Sequence, residues 1–519
     1  MFPIPLPAFQ EQEYFDNREN AAAGVVLIPG ASADRFDAYC ALLESNGFAP
    51  GETFQTARQR FAAYQKDSWG VFLNYFYGTA ELQLVTERNT AYFSYGDRCA
   101  ETAVAPQITQ VWLEDFGMSY AVRLPDGRFL VIDGGRRIEE DAARLFECLK
   151  AGTPHEKPVI AAWLMSHPHA DHYHCFFPFM ERYGEQVTVE KFFFNFPEAE
   201  DVGHYPKLAA SSAEFEGMTA GDVLRLFLKK VEALGVPVYR PHTGQRYALG
   251  GTQLRFLASM DDTIHCSANI NATSLVFTLE LAGQTVFWGA DASFADARLA
   301  ERYGEALKAD ILQVPHHGFG SGSAKGQIDC YEQIRPQVCL LPVSDYHAYT
   351  AFCTYKEGTE HLMTRMDIAE MLVGDATHTL TLPYAPKAET AELQRKFLRG
   401  RDDSGARTWV YTDLDTDREA DFVFSVLNTT YAKAEIKMEL FFADMPDRLH
   451  YADVTVPARG CVKISCLAPE GQAPWIYDPN ALLREDIPAG TSFAVRFLSS
   501  IPVVISHKDH MPAYRSSVV

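Results

Sequence analysis

The sequence predicts an α/β protein in three parts, and three observations carry that expectation. From about residue 105 to 386, apolar runs of strand length alternate with amphipathic helical stretches. From about 400 to 519, short strand-like runs recur between turns at the spacing of a β-sandwich. Ahead of both, residues 1–104 read as a small α+β domain. A chain of 519 residues is too long for one ordinary core, so several domains are expected.

In the first part, Gly24-Val-Val-Leu-Ile-Pro is an extended apolar run. A helix should follow from Ser32, a good N-cap, to Gly47, with Phe36, Tyr39, Cys40 and Leu43 on one face. Trp69–Tyr77 and Ala80–Thr86 have strand character. In the second part, Met118–Leu124 and Arg128–Asp133 flank Pro125-Asp-Gly127 and read as a hairpin. Helices are expected at Arg137–Leu149 and Ala220–Leu234, the latter stopped by Gly235. Polar Ala385–Gly400 reads as a helical linker. Strands are expected at Asp421–Leu427, Ala434–Phe442, Asp453–Val456, Val462–Leu467 and Ser492–Phe497.

Hydrophobic residues make up 47% and charged residues 22%, the balance of a folded globular protein. The formal net charge of −22 counts against a protein that grips long nucleic acid, although a metal centre would supply local positive charge. Ten cysteines with no C-x-x-C pair are expected to be reduced and buried. No apolar run reaches the roughly 18 residues of a membrane span, and the start lacks a basic n-region and an apolar h-region. A cytoplasmic location is the expectation.

The chemistry concentrates in one place. Val159–Met165, an extended apolar run, delivers into Ser166-His-Pro-His-Ala-Asp-His172. Pro168 forbids a continuing ladder, so the histidines fall on a loop at the strand end. Imidazoles mixed with a carboxylate in one volume are the donors that zinc and neighbouring first-row metals take. Further along, Val286-Phe-Trp-Gly-Ala-Asp291 is a strand ending in Asp, and Ile311-Leu-Gln-Val-Pro-His-His-Gly318 is a strand ending in a histidine pair.

Together these residues resemble the H-x-H-x-D-H signature and later elements of the metallo-β-lactamase superfamily. The resemblance covers about residues 108–383 and implies an αββα sandwich. It extends to the branch holding competence-type nucleases and phosphorylcholine esterases through Val314-Pro-His-His-Gly, Asn271-Ala-Thr-Ser-Leu-Val276, Arg335–Pro342 and Asp375–Leu382. It implies that His167 and His169 hold one metal, that Asp171 and His172 hold a second, that Asp291 bridges, and that a last histidine comes from His316-His317. The implied cofactors are two divalent ions, zinc first and manganese second. They would activate a shared water and polarise the group under attack, with Asp171 both ligating and orienting the nucleophile.

Some assignments stay open in the sequence. Many members of the superfamily carry a third histidine for the first metal; His204, His242 and His265 are candidates, and His265, ahead of the Asn271 loop, is preferred. Adjacent strand residues point to opposite faces, so His317 is assigned to the metal and His316 to catalysis or substrate, with the reverse still open. Tyr346 and His347 follow a strand and either line the pocket or sit in an ordinary loop; His174 is read as structural. Iron-containing members that reduce oxygen usually carry Glu where this chain has His169, which favours hydrolysis.

The third part resembles the sensory rhodopsin transducer family in Val426-Leu-Asn-Thr-Thr, Leu440-Phe-Phe-Ala-Asp, Thr455–Arg459, Ile487–Thr491 and Ser499–Ser506. That resemblance implies a self-associating sandwich, hence a homo-oligomer. The leading expectation is a metal-dependent hydrolase of a small ester or phosphodiester. A competence-type nuclease and a non-catalytic metal-containing binding or sensing protein are the alternatives.

Overall fold

Val159–Leu164, and Phe129–Asp133 up to its closing Asp, are apolar because both faces of these strands are covered. They pair in parallel at the centre of an eight-stranded mixed sheet. In this computed structural model the described residues are 15–17, 23–99, 103–115, 117–202, 214–265, 270–319, 322–343, 357–364, 366–374, 376–386, 406–443, 445–465 and 489–516. The chain divides into two compact units, Met1–Asp345 with Met371–Pro386, and Tyr346–Glu370 with Lys387–Val519. Residues 1–104 thus belong to the same unit as the α/β region.

One face of the eight-stranded sheet is helical. Trp163 packs against Phe176, Phe179 and Phe192, beneath helices Glu139–Gly152, Phe176–Tyr183 and Ala220–Ala233. The last of these has a reciprocal cap between Thr219 and Asp222 and buries Leu224, Phe227 and Val231. The helix expected from Arg137 starts at Glu139, because the Arg137 N–H donates to Glu214 and Ile138 is extended. The other face of the sheet meets a seven-stranded sheet. Leu130, Ile132 and Leu164 interdigitate there with Phe277, Leu279 and Trp288, so two sheets lie face to face. Phe287 points out of that second sheet to Phe294, which meets Tyr331 on helix Ala324–Ile334. The layers are therefore helix, sheet, sheet, helix. The expected hairpin is present as Ser119–Arg123 and Phe129–Asp133, with Gly127 at φ +83° in its turn.

Residues 15–87 form a six-stranded antiparallel sheet with helix Ala33–Ser45 on it, capped by Ser32. Alternate residues of strand Glu81–Glu87 face residues 242–302 within the same unit. Gln83 donates to Asp262 at 3.1 Å, and the fully buried Arg302 pairs with Asp262 and lies 3.7 Å from Glu81. His242 donates from Nε2 to Glu87 at 2.8 Å and from Nδ1 to Asp261 at 2.9 Å. A ring that donates from both nitrogens is an imidazolium. Burial opposes that charge, but Asp261 and Glu87 outweigh it and raise the His242 pKa to about 10.

In the second unit, Met445–Val456, Ala434–Phe442, Ser492–His507, Ala406–Asp415 and Tyr514–Ser516 lie side by side in that order. Val423–Leu427 pairs with Cys461–Ser465 and with the far end of Ser492–His507, which thus serves both layers around one core. Among the described residues no helix is long and apolar enough to cross a membrane.

The His242 pair has a definite pH signature. Because the folded pKa of about 10 exceeds the ordinary 6.5, its stabilisation is fully present below pH 6.5 and is lost as the pH rises towards 10. His242→Gln should lower stability by about 3–5 kcal/mol at neutral pH, since it leaves buried carboxylates uncompensated, and should flatten the decline at alkaline pH. Thermal unfolding of both proteins across that window checks it.

Candidate metal centre

Two parallel strand pairs end on the same volume. Phe129–Asp133 and Val159–Leu164 deliver Asp133 and the loop Ser166–His172 from one sheet. Gln284–Trp288 and Ile311–Gln313 deliver Asp291 and His316-His317 from the other. Leu275 N–H donates to the Ser166 carbonyl at 3.0 Å, and Asp291 N–H donates to Ser274 Oγ at 3.3 Å, tying the two sheets at this end.

The side chains fall into two groups that share Asp291. Asp171, His172, Asp291 and His317 are all buried, and His167, His169 and Asp291 form the second set, with His169 partly exposed; within each set the ligand atoms lie within 4.8 Å of one another. Asp291 sits in the middle. Its Oδ2 is 3.2 Å from His172 Nε2, 3.7 Å from His167 Nε2 and 3.9 Å from His316 Nε2, while Oδ1 is 3.6 Å from His317 Nε2. Asp171 Oδ2 lies 3.2 Å from His317 Nε2 and 3.7 Å from His172 Nε2.

The adjacent histidines do not obey strand geometry. The residues after Gln313 leave the strand, and His316 and His317 both adopt left-handed backbone, at φ +49° and +52°. Two successive left-handed residues bring both rings to one side, so both Nε2 atoms lie within 4 Å of Asp291 instead of facing apart. His317 is buried and its Nδ1 donates to the Pro342 carbonyl at 2.9 Å. His316 keeps a quarter of its side chain exposed and meets Asn271 Nδ2 at 3.0 Å through its Nε2.

Asp133 is the residue that sequence reasoning missed. Its Oδ2 accepts from His172 Nδ1 at 2.8 Å and from Ser166 Oγ at 2.8 Å, and its Oδ1 accepts from Ser166 N–H at 2.7 Å. It thereby fixes the tautomer and direction of His172, leaving Nε2 aimed inward. The signal was present: an Asp closing a buried strand just before Gly134-Gly135, the same pattern that singled out Asp291.

Electrostatics favour a cation here. Burial opposes charge on His172, yet Asp291, Asp133 and Asp171 hold its pKa well above the usual histidine range. Burial would raise the carboxyls of Asp171 and Asp291, but the surrounding histidines hold both below the usual carboxylate range. Burial pushes His167 well down and takes His169 down to about 4, so these rings are neutral and able to donate a lone pair. His172 Nε2 is buried and, although it faces two carboxylates, makes no hydrogen bond among the described residues. Imidazole and carboxylate donors converging in this way fit a first-row metal.

His242 and His174 fall elsewhere. His242 belongs to the buried ion cluster with Glu87 and Asp261. His174 donates to Glu214 at 2.7 Å and packs on Phe215. His265 closes the turn Met260–His265, and its side chain lies outside the described residues, as do His204, Tyr346 and His347.

No protein-family model and no curated protein matches the chain. Among solved structures, the diiron β-hydroxylase CmlA from Streptomyces venezuelae is 13% identical, with a TM-score of 0.33 over 68% of this chain and 79% of its own. A β-lactamase domain protein from Burkholderia ambifaria is 12% identical, with a TM-score of 0.22 over 67% of this chain and 73% of its own. The Anabaena sensory rhodopsin transducer is 21% identical, with a TM-score of 0.16 over 20% of this chain and 96% of its own. Likeness of this degree decides neither metal nor activity.

Asp133→Asn should weaken metal binding about 10- to 100-fold while leaving the far-ultraviolet circular dichroism unchanged, since Asn tolerates the left-handed backbone at this position. Competition against a chromogenic chelator measures the shift.

Proposed function

We propose that the chain is a metal-dependent hydrolase of the metallo-β-lactamase fold, acting on a small ester or phosphodiester. The convergence of His167, His169, Asp171, His172, Asp291 and His317 on one buried volume carries this reading. His167, His169 and Asp291 would hold one ion, and Asp171, His172, Asp291 and His317 the other, with zinc first and manganese second as the metals. Such ions, when bound, supply Lewis acidity to the group under attack and a water of lowered pKa.

The remaining work belongs to the chain. Asp171 and Asp291 compensate positive charge, and Asp133 and the Pro342 carbonyl keep His172 and His317 pointed inward. His316, partly exposed and accepting at Nε2 from Asn271 Nδ2, is placed beside Asp291 where it can contact substrate. The net charge of −22 favours a small substrate over long nucleic acid. We also propose that residues 400–519 join chains into a homo-oligomer: exposed Val423 and Leu427 lie on one face of a strand that needs cover.

Elemental analysis should find two transition metals per chain, and chromogenic phosphodiesters, phosphomonoesters, lactones and β-lactams should reveal turnover. Asp291→Ala should abolish that turnover, because it removes the shared carboxylate. Absence of metal after incubation with zinc and manganese sinks the reading, and wild-type rates in Asp291→Ala refute the role of Asp291. Light scattering should give a mass above that of one chain; a monomer would refute the assembly.

A further inference from the structure

We infer that the edge of the eight-stranded sheet carries a second small-molecule site, a cleft that takes a free amino acid with an apolar side chain. Arg240 holds its carboxylate, Glu198 and Glu232 hold its ammonium group, and the apolar lining covers its side chain. The site stands apart from the hydrolase reading, because the residues that line the cleft include none of the metal-centre side chains.

The cleft follows from where the sheet stops. Val238–Tyr239 is the last strand of the sheet on this side, so no further strand covers it. On helix Ala220–Ala233, Leu224, Leu228 and Val231 recur at helical spacing and share one side. Leu224 and Val231 are buried, whereas Leu228 remains 38% exposed. The helix and the sheet edge together line a cleft of about 390 Å³. Its buried lining is Phe194, Phe196 and Val231, and towards solvent it is Leu228, Val236 and Val238. That volume lies at the lower end of the roughly 300–1,000 Å³ of small-molecule sites. Covering these apolar side chains is favourable for any ligand that fits.

Three charged side chains share the lining and decide which ligand that is. Arg240 is anchored: its Nε and Nη2 donate to Asn195 Oδ1 at 3.3 and 3.2 Å, and its Nε lies 3.5 Å from Glu87 Oε1. Asn195 is held in turn, because its Nδ2 donates to the Pro241 carbonyl at 3.0 Å. These contacts occupy one edge of the guanidinium. Nη1 makes no hydrogen bond among the described residues, which leaves the Nη1–Nη2 edge for a carboxylate. Glu198 and Glu232, both exposed, set two negative charges at the same cleft against the one positive charge of Arg240. A simple carboxylic acid would meet repulsion from the two glutamates, and a simple amine would leave Arg240 unanswered. A zwitterion answers both signs, and an apolar side chain suits the rest of the lining.

The test titrates the full chain by calorimetry with leucine, with phenylalanine, and with the two halves of leucine, 4-methylpentanoate (no amine) and 3-methylbutylamine (no carboxylate). Leucine and phenylalanine should bind saturably at one site per chain, and each half-molecule about tenfold or more weakly, since each lacks a charge-assisted contact. Arg240→Gln should erase the preference for leucine over the amine, and Glu198→Gln with Glu232→Gln should erase the preference over the acid. Leu228→Trp, a change at an exposed helix position that fills the cleft, should weaken binding of leucine about tenfold or more. Circular dichroism checks that each variant folds; should Arg240→Gln not fold, the half-molecules on the unaltered chain still decide. No saturable binding of either amino acid overturns the inference, as does an acid or amine that binds as tightly as leucine. Free amino acids also chelate metals, so leucine binding that survives Leu228→Trp unchanged places the ligand elsewhere and overturns it too. None of these readouts involves turnover or metal content, so this site and the hydrolase reading stand or fall separately.

Discussion

A carboxylate buried to 2% exposure, as Asp291 is, costs several kcal/mol to desolvate unless positive charge or good hydrogen bonds surround it. Four imidazoles supply that surrounding, and they come from two loops that start on different sheets. The requirement reaches far into the fold. For the rings to meet one carboxylate, the ends of Val159–Leu164, Gln284–Trp288 and Ile311–Gln313 must lie together, which in turn requires the two sheets to pack face to face through Leu164, Phe277 and Trp288. The apolar core is thus the frame that sets the positions of a few polar atoms.

The opposite end of the first sheet is equally polar and makes a useful contrast. Arg128 and Lys191, at the starts of their strands, pair with Asp97, Asp126 and Glu190. Cations and carboxylates pair directly there. The same logic describes the seam where Glu81, Gln83 and Glu87 meet His242, Asp262 and Arg302. At the candidate metal centre the carboxylates of Asp171 and Asp291 face imidazoles. Three buried polar clusters lie within one unit among the described residues, and one of them has the donor set that a metal takes.

Much of this was legible in the sequence, because the decisive residues are near neighbours. Ser166–His172 packs four donors into seven positions, and a strand with five of its six residues buried leads into it. The hairpin and the capped helix from Ala220 follow from local turn and cap chemistry. What was hidden depended on distance or on backbone shape. Asp133 acts on His172 across 39 positions, and His242 finds Glu87 across 155; no local pattern announces either. The alternating strand assumed for sorting the histidine pair is absent, because the chain turns left-handed there, although His317 does lie in the four-donor group. Strand Ala406–Asp415 was also overlooked, although its burial alternates, because the polar stretch before it was read as linker.

The left-handed backbone at the centre has a further meaning. Asp133, Ala290, His316 and His317 all hold positive φ without being glycine, a conformation that costs roughly 1–2 kcal/mol per residue. Four such residues cluster around one carboxylate. Glycine would relax the backbone at each of them, but at Asp133 and His317 it would also remove the hydrogen bonds that those side chains make. Backbone ease and side-chain placement therefore pull in opposite directions here, and a laboratory lineage bred for one would have to be screened continually for the other.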